Sequence, residues 1–187
     1  MTRKQTLELL HSKMKNQNLR RHSYAVEAGM RALAKHFGKD EEKWGIAGLI
    51  HDADYEMTKD KPDEHTKHTV EWLRAHDFDV KIEKTVLAHG WGFVPGNPEP
   101  KSKMEWALYC VDELTGFIVA VALVKPDRKL ASVSLDSIKK KWGQKSFAAG
   151  VHREQIELCG EKLGTGLDEF ITITLEAMQK ISNDLGL

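Results

Sequence analysis

Apolar residues recur along this chain at steps of three and four, and no segment keeps a step of two. That pattern predicts helices throughout. The sharpest case is Leu19, Val26, Met30, Leu33 and Phe37, spaced seven, four, three and four apart. They mark one face of an amphipathic helix that starts near Asn18 and is ended by Gly38. Before it, Thr2 to Lys15 reads as a peripheral helix carrying Leu7, Leu9 and Leu10. After it, Asp40 suits an N-cap, with Glu41 and Glu42 in the first turn where they favour the helix dipole. That third helix runs through an unbroken apolar stretch, Trp44 to Ile50, and stops near Asp52.

Asp54 to Lys61 is polar and reads as a loop. Pro62 suits the first turn of a helix reaching about Ala75, with His65, Thr69 and Trp72 on one face. Asp79 opens another, on which Ile82, Val86 and His89 align. The clearest loop follows, with Gly90, Gly92, Pro95, Gly96, Pro98 and Pro100 around Trp91 and Phe93. Ser102 to Glu105 matches a capping box and starts a long apolar helix that Pro126 closes. Val151 to Leu163 and Leu167 to Leu185 read as two more, with Gly164 ending the first. The β-branched run Ile171 to Thr174 sits among helix formers. The expected fold is all-α, a single-domain helical bundle over residues 1–187, with its chemistry at about 19–124 and its C-terminal helices at about 125–187.

Length and charge narrow the classes. At 187 residues the chain suits one domain with a sizeable core. Its 28 basic and 28 acidic residues cancel, which argues against general nucleic-acid or membrane-surface binding. The stretch Trp106 to Val124 is nearly long enough to span a bilayer, but Asp112 and Glu113 near its middle would be costly in lipid. Met1 to Lys4 leads into a polar segment, unlike a signal peptide. Cys110 and Cys159 lack metal or redox spacing, which fits a reducing, cytoplasmic setting. The apolar Phe117 to Val124 stretch serves either internal packing or a contact in a homo-oligomer.

The nine histidines matter by placement. His51 and Asp52 end the apolar run of the third helix, so burying that run takes an imidazole and a carboxylate to the wall of the core. An internal salt bridge or a helix-end cap would satisfy one such pair, and so would a metal ion. The wider pattern favours the ion. His22, His51 with Asp52, His65, His89 and Asp112 fall on the core sides of five predicted helices. So many buried polar groups need common partners, and a metal centre supplies them.

The order His, then His-Asp, then two histidines, then Asp resembles the HD-domain superfamily of metal-dependent phosphohydrolases. The matching residues are His22 in Arg21-His22-Ser23, the pair His51-Asp52, and Asp112 in Cys110-Val111-Asp112-Glu113. A subgroup of predicted HD-superfamily hydrolases is closer still. Its phrases here are His22-Ser23-Tyr24-Ala25-Val26-Glu27, Lys125-Pro126-Asp127-Arg128-Lys129-Leu130 and Lys145-Ser146-Phe147-Ala148-Ala149-Gly150-Val151. The resemblance spans about Leu19 to Met178. One departure is Thr69-Val70-Glu71, where the subgroup has a Gly-Ala-Glu step, so His68 competes with the preferred His65.

The resemblance implies one or two divalent ions (Mn, Fe, Co, Ni, Zn or Mg) held by His22, His51, Asp52 and Asp112, with His65 and His89 serving a second. The implied substrate is a small-molecule phosphate ester or nucleotide, attacked by water activated at the ion. Asp52 would orient that water, and Asp54 and Glu56 are the nearby acids for proton transfer. Lys125 and Arg128, directly after the Asp112 helix, are the expected phosphate contacts. Two other readings keep the same ligands: a di-iron oxygenase with Tyr24 near His22, and a non-catalytic, metal-stabilised ligand-binding module.

Overall fold

The structure is a computed structural model that describes residues 2–187. Those residues form helices and turns, with no strand among them. In order they are α1 (Arg3–Lys13), α2 (Gln17–His36), α3 (Glu41–Ile50), α4 (Tyr55–Thr58), α5 (Lys67–Ala75), α6 (Val80–His89), α7 (Lys103–Leu123), α8 (Leu135–Trp142), α9 (Arg153–Leu158), α10 (Leu167–Lys180) and α11 (Ser182–Leu185). Short 3-10 turns lie at Pro62–Glu64 and Leu130–Ser132, and α9 continues as a π-turn over Cys159–Leu163. The starts follow the caps written in the sequence. Asp40 Oδ1 accepts from the Lys43 amide at 2.9 Å, Asp79 Oδ1 from that of Lys81 at 2.8 Å, and Ser102 forms a capping box with Glu105.

Two apolar clusters make the core. One joins Val26, Met30 and Leu33 of α2 to α7, α9 and α10, and includes the fully buried Phe117 and Phe170. The other joins Leu10 of α1 to Leu49 and Ile50 of α3, Leu73 of α5 and Val86 of α6. The helix between them is α3. Every residue from Trp44 to Ile50 is buried, as expected of a helix that is apolar all round. It packs closely on α2 because Gly48 has no side chain; a Cβ there would sit 2.9 Å from the Val26 carbonyl oxygen. A larger residue at Gly48 would lift the end of α3, and with it His51 and Asp52.

Four sequence expectations change. The Asp54–Lys61 segment contains the short α4. No continuous helix runs from Pro62, because Thr66 adopts φ 71° and divides a 3-10 turn from α5. The Val151–Leu163 helix starts at Arg153 and widens to a π-turn, and the Leu167–Leu185 helix breaks at Ile181. Helix α7 is long and apolar enough to cross a membrane by composition alone, yet Leu108, Val111, Leu114, Phe117 and Ile118 are each 0 % exposed within the bundle.

Candidate metal centre

The two clusters meet where five segments each deliver a polar side chain. α2 supplies His22, the C-terminal end of α3 supplies His51 and Asp52, and the bend before α5 supplies His65. The last residue of α6 is His89, and the middle of α7 gives Asp112. His51 is fully buried, and Asp52 and His89 are nearly so.

Every ring is oriented through Nδ1. His51 Nδ1 donates to the Gly48 carbonyl at 2.8 Å, and His89 Nδ1 to that of Val86 at 2.5 Å. His65 Nδ1 donates to Asp54 Oδ1 at 2.8 Å. Thr115 Oγ1 gives its proton to the Asp112 carbonyl, so at 3.4 Å it accepts from His22 Nδ1. With Nδ1 protonated, a neutral imidazole carries a lone pair on Nε2. All four Nε2 atoms point at the same two carboxylates.

The distances place them in two groups around Asp52. Its Oδ1 lies 3.3 Å from both His65 Nε2 and His89 Nε2, which are themselves 3.2 Å apart. Its Oδ2 faces His22 Nε2 at 3.7 Å. Asp112 Oδ1 lies 2.8 Å from His22 Nε2 and 3.3 Å from His51 Nε2. Ligand atoms of His22, His51 and Asp112 lie within 4.8 Å of one another, and so do those of His51, Asp52 and His89.

Such a cluster of acceptors needs cations between them. Without a metal the cations are protons. Burial alone would lower the His51 imidazole, but the Asp52 and Asp112 carboxylates outweigh it and raise it to about 9. His65 is likewise raised to about 10 against burial by Asp52 and Asp54. Burial would raise the three carboxyls, yet the imidazoles hold Asp52 and Asp112 well below the usual range, and His65 with the Thr69 amide holds Asp54 below it. Protons leave one strain: His51 Nε2 is buried with no hydrogen-bond partner. A divalent ion relieves it, because several nitrogens and oxygens share one charge in all directions. The donor set fits such an ion.

Asp54 has a clearer role than the sequence suggested. Far from being a solvated loop acid, it is 0 % exposed and fixes the His65 ring while its Oδ2 accepts from the Thr69 amide at 3.0 Å. This carboxylate-to-imidazole bond is the support that metal-binding histidines require. The left-handed Thr66 turns His65 out of α5 and into the cluster, and Asn97 Nδ2 holds its hydroxyl at 3.0 Å. A β-branched residue at positive φ is strained, and here the strain sits beside a site residue. His68 is directed elsewhere, to Glu64 at 3.3 Å and against the Trp72 ring.

Three expected site residues are not brought in. Glu56 Oε2 accepts from the Lys15 and Asn16 amides at 2.6 and 3.0 Å, so it fastens the α1–α2 link. Lys125 and Arg128 follow α7, whose last residue, Leu123, is 11 residues and about 16 Å of axis past Asp112, and neither lines the cavity at the cluster. Sequence adjacency to a helix is not proximity to its middle. Tyr24 also turns away, its hydroxyl 2.6 Å from His11 Nε2.

The cluster opens into a cavity of about 300 Å³ whose outer wall is Tyr55, Phe93, Glu113, His152 and Gln155. Sequence reading assigns Tyr55, Glu113, His152 and Gln155 no role. A signal existed, since Glu113 follows Asp112 and His152 directly follows the Lys145–Val151 phrase.

Residues 19–110 match the HD domain family, which takes in His22, His51, Asp52, His65 and His89 and stops two residues before Asp112. That match supports membership of the HD-domain superfamily, with residues 19–110 as the HD domain. Among solved structures, this HD domain resembles the HD domain of the L. monocytogenes phosphodiesterase PgpH, with a TM-score of 0.57. The two are 14% identical over 94% of this chain and 98% of that one, a likeness of fold. No curated protein sequence matches the chain.

Proposed function

We propose that this HD domain is a metal-dependent phosphohydrolase that splits a phosphate ester of a small molecule with water. The observation that carries the reading is the meeting of four imidazole Nε2 atoms with Asp52 and Asp112 at the floor of an open cavity. His22, His51, Asp52 and Asp112 would hold one divalent ion. His65 and His89 would hold a second, with Asp52 serving both. When bound, the ions would acidify a water and neutralise charge developing on the phosphoryl group. The chain's own groups do the rest: Asp52 orients the attacking water, Asp54 keeps His65 aimed, and the buried wall of α3 excludes bulk solvent from beneath. The superfamily and the phosphodiesterase with the same fold both support this reaction class. The free, buried Cys110 and Cys159 suit a cytoplasmic enzyme.

The test is reconstitution of the metal-free protein with Mn, Fe, Co, Ni, Zn or Mg, followed by assay on phosphomonoesters, phosphodiesters and nucleotides. Release of phosphate or of the alcohol that disappears with chelator is the expected result. Metal-loaded protein inert on the whole panel would overturn the hydrolase, and oxygen uptake by an iron-loaded sample would move the reading to an oxygenase.

A further inference from the structure

The wall opposite the metal ligands is built as carefully as the floor. Glu113, one residue past Asp112 on α7, accepts from His152 twice: Oε2 from the backbone amide and Oε1 from Nδ1, each at 3.0 Å. Two bonds to one carboxylate fix the ring and keep the Nδ1 proton in place. Nε2 makes no hydrogen bond to the described residues. The His152 ring also rests against Phe93, centroids 4.8 Å apart, and Phe93 is 48 % exposed at the rim.

Gln155 completes this wall. It is 4 % exposed, and its Nε2 donates to the Tyr109 carbonyl, which fixes the amide's orientation. Its Oε1 then has no partner. A buried acceptor left unpaired is costly, and a donor arriving with a ligand removes the cost. Charge gives a further restriction. The cavity lining includes Asp52, Asp112 and Glu113 but no lysine or arginine. Ions at the floor can neutralise one phosphoryl group; on the wall the Glu113 carboxylate already balances a protonated His152, so no charge is left there for another.

We propose that Phe93, Glu113, His152 and Gln155 form the subsite for the alcohol part of a monophosphate ester, with His152 as the acid that protonates the departing oxygen. The inference rests on the hydrolase reading above. The ligand class is a neutral, hydroxylated alcohol carrying a single phosphate, as in a polyol, sugar or nucleoside monophosphate. Its apolar face lies on Phe93, and a hydroxyl donates to Gln155 Oε1. In the step, a bond forms between water oxygen and phosphorus while the ester phosphorus–oxygen bond breaks. The leaving oxygen takes the proton of His152 Nε2, the water's proton passes to solvent, and His152 regains one from solvent. Glu113 is a positioning residue that holds the ring.

Two probes separate this role from a structural one. The p-nitrophenolate of p-nitrophenyl phosphate departs without a proton, whereas the alkoxide of glycerol 2-phosphate needs one. In the Mn-loaded protein, His152→Gln should slow glycerol 2-phosphate hydrolysis by about 10²–10⁴-fold, the usual worth of a general acid, and the aryl ester far less. Metal content should equal that of the unaltered protein. Gln155→Leu should raise KM for glycerol 2-phosphate with kcat largely kept, and Glu113→Gln should lower kcat with KM kept. Equal losses on both esters, no loss on either, or activity confined to the aryl ester would overturn the subsite while leaving the hydrolase standing. An unaltered, metal-loaded protein inert on both esters would overturn the hydrolase, and the subsite with it.

Discussion

The segment from His51 to Thr69 and the segment from Lys125 to Lys145 both concentrate ionisable groups, yet the fold treats them in opposite ways. In the first, Asp52 and His65 are turned inward until they meet, with His89 from α6, within 3.3 Å. In the second, the charges are spread over the surface, where solvent screens them. Lys139 pairs with Asp168 at 2.6 Å, and Lys141 lies over the Phe147 ring and bonds Gln144. Exposed pairs of this kind contribute little, whereas buried acceptors facing one another demand a cation. Density of one residue type does not make a site. Convergence without internal neutralisation does.

The contrast is sharpest in mutants. His51→Ala removes a fully buried imidazole that lies within 3.5 Å of both Asp52 and Asp112, and kcat on any phosphate ester the protein accepts should fall roughly 10³-fold or more, several kcal/mol of charge stabilisation being lost. Asp54→Asn, which meets the cluster through His65, should weaken metal affinity by about 10–100-fold in a chelator titration. His68→Ala, three residues from His65, should leave metal affinity and turnover within about twofold, since His68 meets only Glu64, Glu71 and Trp72. Equal effects at His65 and His68 would erase the distinction between the inward and outward histidines.

Acidity offers a second way to separate the regions. His51 and His65 are raised to about 9 and about 10 in the metal-free fold, above an unfolded value near 6.5. A raised folded pKa stabilises fully below the unfolded value and is lost as pH climbs through the folded one. Metal-free protein should therefore lose melting temperature as pH rises from about 7 to 10. Asp52, Asp54 and Asp112 are depressed, so their contribution is present above about 4 and fades as pH falls below it. Metal-loaded protein should show the alkaline loss weakly or not at all, because ligation replaces the protons. A melting curve flat from pH 7 to 10 without metal would contradict the cluster as described.

The smallest effects belong to the surface. Lys125→Ala and Arg128→Ala should change turnover and KM by less than about twofold, since neither lines the cavity at the cluster. Glu56→Ala should leave activity intact and cost about 1 kcal/mol, a fall of 2–4 °C in Tm, through the lost bonds to the Lys15 and Asn16 amides.

Much of the framework could be read along the chain. Periodicity and caps located α2, α3, α6 and α7, because those signals are local. The floor residues other than His65 were legible for the same reason, each lying on an apolar helix face or at the end of an apolar run. What failed was non-local. The left-handed turn at Thr66 depends on Asn97 and on the cluster drawing in His65, so no window around Pro62 contains it. Asp54 looked like a loop acid because its partners, His65 and Thr69, lie 11 and 15 residues on. His152 and Gln155 reach the cavity only because α9 packs across α7, an arrangement no spacing rule records.

The account turns on whether the inward cluster holds metal. Elemental mass spectrometry on protein purified, stripped and reloaded with Mn, beside His51→Ala and His65→Ala, measures this directly. The predicted result is two ions per chain, one after His65→Ala and none after His51→Ala. Reloaded protein that retains no ion, or variants that retain as much as the unaltered chain, would contradict the metal centre and the hydrolase built on it.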